Sequence, residues 1–123
     1  MRVYDELDKM IVKLLHDLTL RPNYKGFRYI LDAVRIILRY PDGQCLITKD
    51  VYPVVARENA TTSASVERCI RHCVETIWDY APAVSLEDFL FLSAIERPTN
   101  SVFLVAVAVN IMNTYGSAAQ ELM

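Results

Sequence analysis

Residues 61–78, TTSASVERCIRHCVETIW, decide how the chain is read. Val66, Cys69, Ile70, Cys73, Val74 and Ile77 recur three and four apart, so they line one side of an α-helix. Ser65, Glu67, Arg68, Arg71, His72 and Glu75 are left outside or at the margin. Thr61, Thr62 and Ser63 offer hydroxyls to the free amides that open the helix. Just upstream, YPVVAREN (52–59) is also helical, and only a few residues separate the two segments. That spacing predicts a helix-turn-helix, whose second helix presents its N-terminal half to a major groove. The competing reading is a solvated outer face.

Working outward, the other segments are helical as well. VYDELDKMIVKLLHDL (3–18) sets Val3, Leu7, Met10, Ile11, Leu14, Leu15 and Leu18 on one stripe, and RPNY breaks it. FRYILDAVRIILRY (27–40) repeats the pattern and PDG (41–43) ends it as a turn. A third segment runs from about Cys45 to Glu58, broken or divided at Pro53, which suits only a first turn. A short fifth helix begins at Ser85 (SLEDFLFLSA), and Asn100 or Ser101 caps a final helix through about Tyr115. That last segment, apolar nearly all round, reads as a central core helix or half of a dimer interface. The fold class is all-α, a compact bundle of about six helices containing a helix-turn-helix.

With 123 residues, 53% of them hydrophobic, the chain suits one domain over 1–123. The N-terminus lacks a signal-peptide pattern, and VFLVAVAV (102–109) is far shorter than the ~20 residues of a membrane span. A cytoplasmic protein without membrane association is expected, and three cysteines without a pairing pattern agree with reduced thiols. Net charge is −2, but its distribution is polar. Between 21 and 40, Arg21, Lys25, Arg28, Arg35 and Arg39 face Asp32 alone; from 79 onward Arg97 stands against five acids. The five cations are spaced as one helical face that could lie along a phosphate backbone.

Enzymatic readings are weak. His16 and His72 form no nucleophile–base spacing, and Glu87 and Asp88 are adjacent, hence on different sides of a helix. Glycines at 26, 43 and 116 build no phosphate loop. Cys69, His72 and Cys73 could be imagined as metal ligands, but both cysteines lie on the core stripe and read as small buried hydrophobes. No enzyme, cofactor or metal is expected.

ITKDVYPVVARENATTSASVERCIRHCVETIW (47–78), RPTNSVF (97–103) and the earlier YKGFRYILDAV (24–34) resemble the C-terminal effector domain of the stage-zero sporulation protein A family of response regulators. The similarity covers roughly residues 24 to 108. It implies a six-helix domain whose recognition helix, about 62–78, reads a short promoter box in double-stranded DNA, with subunits binding tandem boxes. Carried onto this chain, Glu67, Arg68 and Arg71 fall on the base-reading positions with Ser65 beside them. Arg68 is the strongest bidentate candidate for guanine. Phosphate contacts are expected from Thr61, Thr62, Lys49 and Arg97, joined by Lys25, Arg28 and Arg35 from the basic stripe.

The departures are informative. Ser65 stands where the family has a basic residue, Ala64 where it has serine, and residues 45–78 carry as many acids as bases. No phosphorylatable receiver is expected within the chain. Against these departures, the resemblance and Glu67, Arg68 and Arg71 point to a sequence-specific transcriptional regulator, with homodimer or tandem binding and contact to the transcription machinery or a paralogue as the expected partners. The alternative is an interaction module that has lost DNA binding and modulates a full-length paralogue by pairing with it.

Overall fold

The structure, a computed structural model, describes residues 2–40, 44–90 and 96–122. Those residues form α1 (Glu6–Asp17), α2 (Lys25–Leu38), α3 (Tyr52–Glu58), α4 (Ser63–Tyr80), α5 (Ala83–Leu90), α6 (Asn100–Tyr115) and the short α7 (Ser117–Glu121), with a π-helical turn at Ile47–Val51 leading into α3. No strand occurs among the described residues. The expected turn at 41–43 and the end of SLEDFLFLSA lie outside them.

The organising element is α2. Phe27, Tyr29, Ile30, Leu31, Ala33, Val34, Ile36, Ile37 and Leu38 are buried, because α1, α3, α4 and α6 all pack against it. Gly26 makes the closest of these approaches possible. A Cβ there would fall inside contact distance of the Cys69 carbonyl oxygen and 2.7 Å from the Cys73 sulfur, so α2 and α4 cross nearly backbone to backbone. Cys73 is fully buried at this crossing and Cys69 only partly.

Local chemistry explains most boundaries, and several differ from the sequence reading. The first helix begins at Glu6 rather than Val3, since Asp5 and Asp8 form a reciprocal capping box; Val3 precedes it and is exposed. Two helices end in Schellman geometry without glycine. Thr19 (φ 67°) and Ala60 (φ 52°) take left-handed conformations, while the Leu20 amide donates to the Leu15 carbonyl and the Thr61 amide to the Ala56 carbonyl. The third segment divides as expected: Pro53 sits in the first turn of α3, and the π turn precedes it. The fifth helix starts at Ala83, two residues earlier than the sequence suggested.

The cap of α6 is Thr99, not Asn100 or Ser101. Thr99 is extended and its hydroxyl accepts from the Val102 amide, which makes Asn100 the first helical residue. The inner face of α6 (Phe103, Leu104, Val107, Ala108, Ile111) enters the core, whereas Val102, Val105 and Val109 remain in solvent. Phe89 of α5 meets Phe103 with ring centroids 5.4 Å apart, and Asn110 ties the Phe89 carbonyl to α6.

Candidate nucleic-acid interface

Helices α3 and α4 are joined by four residues, 59–62, and pack closely, giving a helix-turn-helix. The turn is held from three sides. The Schellman closure at Ala60 reverses the chain, the Thr62 hydroxyl accepts from the Ser65 amide at 3.1 Å, and Asn59 donates to both the Val55 carbonyl and Asp32 of α2. The first turn of α4 is thereby fixed to the body of the molecule.

On α4, Val66, Ile70, Cys73, Val74 and Ile77 face the core, leaving Arg68, Arg71 and His72 exposed and Ser65, Glu67 and Glu75 at the margin. The exposed residues are not equivalent. Arg71 donates from one guanidinium nitrogen, Nη1, to both Glu67 oxygens at 2.7 and 2.9 Å, a charge-assisted pair within the helix. Arg68 makes no ion pair or side-chain hydrogen bond among the described residues, and it borders a shallow cleft with Lys25, Gly26, Cys69, Arg71, His72 and Glu75. His72 lies against Tyr24, the residue that opens α2, at a ring separation of 5.8 Å.

Thr62 is exposed, Thr61 half-buried, and Lys49 exposed on the π turn. Lys25 and Arg28 are exposed in the first turn of α2, sharing a polar cleft with Pro22, Asn23 and Asn59. Arg97 pairs with Glu75 at 3.4 Å and is half-exposed.

The five-cation stripe does not exist as one face. Arg21 precedes α2, Arg39 caps its end, and Arg35 is turned toward α1, where it binds Asp5 at 2.9 Å and Asp8 at 3.3 Å. Arg2 bridges Asp8 and Asp32 at 2.9 and 2.6 Å, so Asp8, 4% exposed, is satisfied from both sides. Burial opposes ionisation of Asp5, but the Asp8 amide and the Arg35 guanidinium outweigh it and hold its pKa below the usual value. Burial likewise opposes the charge on Arg2, and Asp32 and Asp8 reverse that effect, raising its pKa.

One contact escaped the sequence reading. The Asn100 side chain donates to the Glu67 carbonyl at 2.9 Å, joining the start of α6 to the exposed helix. The buried Tyr52 of α3 faces the same side chain; burial raises its hydroxyl pKa and Asn100 works against that. In sequence the RPTN segment reads as a helix start, a stretch of family resemblance and a phosphate contact at Arg97, but not as an anchor for α4, because the partner of Asn100 lies 33 residues earlier.

Residues 11–111 match the family model described as Sporulation initiation factor Spo0A C terminal. The chain belongs to this family. It is a family of sporulation-regulator effector domains, generally DNA-binding regulatory domains and not enzymes. The all-helical bundle agrees with membership, and no helix among the described residues is long and apolar enough to cross a membrane.

Proposed function

We propose that this Spo0A-type domain is a sequence-specific DNA-binding regulator of transcription with α4 in the major groove. The observation that carries the reading is the exposed Arg68, without an ion-pair partner among the described residues, in the second turn of a capped helix-turn-helix helix. A free guanidinium there offers two parallel donors to guanine O6 and N7 without first breaking an internal pair. Ser65 and the Glu67–Arg71 pair complete the base-reading set, with Glu67 orienting Arg71 or accepting from a cytosine amino group. Lys25, Arg28, Lys49, Thr61, Thr62 and Arg97 supply backbone contacts around it. Arg35 leaves that set, since Asp5 and Asp8 already occupy it.

A second reading is favoured by the internal pairing of Arg71 and Arg97, which lowers the cationic character of the face: the domain pairs with a full-length paralogue and modulates it. A titration against a family-type box and a scrambled duplex at several salt concentrations separates the two. The DNA reading expects a clear preference for the box and a steep loss with salt. Equal, weak binding to both duplexes would favour the paralogue.

A further inference from the structure

The core side of α4 is held by apolar packing, which sets its depth but is non-directional. Its other side is held by polar contacts from one short segment. Arg97 meets Glu75, and Asn100 meets the Glu67 carbonyl, eight residues earlier on α4, or about 12 Å along the axis. Asn100 is the first residue of α6. Thr99 caps α6, and the next turns of that helix are fixed by Phe103, Leu104 and Val107 in the core.

We infer that Asn100 is a positioning residue for the base-reading helix, fixing the roll of α4 through the second lone pair of the Glu67 carbonyl. Within α4 that carbonyl has the Arg71 amide as its helical partner, four residues on, so the Asn100 amide adds a directional bond from outside without displacing the ladder. The anchored peptide immediately precedes Arg68. Base recognition tolerates about 0.5 Å and 10–20° of error, and a roll of α4 carries the long Arg68 side chain farther than its backbone. Asn59 ties the turn before α4 to Asp32, and the Asn100 bond adds a second directional tie one turn further along, beside Arg68.

The test uses Asn100→Ala and Asn100→Ser in the full chain, with Ser101→Ala as the neighbouring control. Serine suits a helix start and is too short to reach Glu67, so it keeps the test open where alanine impairs folding. Without DNA, amide hydrogen exchange in the first two turns of α4 should quicken by about three- to tenfold in both Asn100 variants, the range expected for one hydrogen bond, and not in Ser101→Ala. With DNA, the ratio of box to scrambled affinity should fall by a similar factor while scrambled binding holds. Unchanged exchange, or an unchanged affinity ratio, overturns the proposal. The second arm rests on the DNA-binding reading and the first does not: a wild type that ignores the box refutes that reading, and the exchange experiment alone then decides whether the anchor holds α4.

Discussion

Arg68 and Arg71 stand three residues apart on the same helix, yet their electrostatic situations are opposite. Arg71 already has a carboxylate, so on the proposed reading a base would compete with Glu67 for it; Arg68 has none among the described residues. Replacing Arg68 with alanine should lower affinity for the preferred box by about 1–3 kcal/mol, leaving scrambled-DNA affinity and melting temperature nearly unchanged. Paired titrations and thermal melts check this, and a full retention of box affinity would sink it. The basic residues of α2 divide in the same way. Arg28→Ala should weaken all duplexes alike and flatten the log–log salt dependence by about one unit. Arg35→Ala should leave that slope alone and cost about 1.5–3 kcal/mol of stability, because Asp8 loses a charged donor in a nearly dry site. Chain spacing could not separate these two arginines, since the partners of Arg35 lie 27 and 30 residues away on another helix.

At the level of elements, what sequence made legible was whatever acts within one or two helical turns. The stripe of α4, its threonine cap and the interruption at Pro53 are of this kind, with two corrections: Cys69, expected as a small buried hydrophobe, is only partly buried, and of the three hydroxyl caps offered only Thr62 accepts the capping bond. The misplaced features depend on partners that local spacing does not reveal. Val3 matches the stripe of α1, but the Asp5–Asp8 box starts the helix after it. Thr99 competes with two other good caps, and only the extended backbone at Thr99 selects it. The left-handed Ala60 carries a prediction of its own. An alanine in that conformation costs about 1–2 kcal/mol that glycine avoids, so Ala60→Gly should raise stability by up to roughly 1 kcal/mol, read by chemical denaturation. The converse change, Gly26→Ala, pushes a methyl into the Cys69 carbonyl, which as helical backbone cannot swing aside. It should cost about 1–3 kcal/mol or more and displace α4.

Across the whole molecule, the ion network and the exposed cations around α4 divide the charge between two tasks. Asp5, Arg35, Asp8, Arg2 and Asp32 form a chain from the N-terminal arm across α1 to α2, and Asn59 extends it to the turn before α4. The basic excess visible in residues 21–40 is therefore partly internal, and the proposed interface has fewer cations to draw on than composition implies. Titration at the other extreme of pH reports on packing. Burial, with Cys69 nearby, pushes the Cys73 thiol up to about 12 from its usual 9.0. A folded thiol that keeps its proton where the unfolded chain has lost it makes stability fall as pH rises above about 9, the decline continuing toward 12. Cys73→Ala should flatten that decline in denaturation curves taken at pH 8 to 10, and identical slopes would contradict it.

The same burial gives the molecule a clock. Alkylating reagents attack thiolates, and Cys73 is both closed to solvent and held protonated, so it reacts only when the crossing of α2 and α4 comes apart. Its labelling rate, followed in a protein whose other two cysteines are replaced, counts those openings one by one. Whatever binds the closed molecule and not the opened one, a duplex seated on α4 included, should slow the count in proportion to its occupancy.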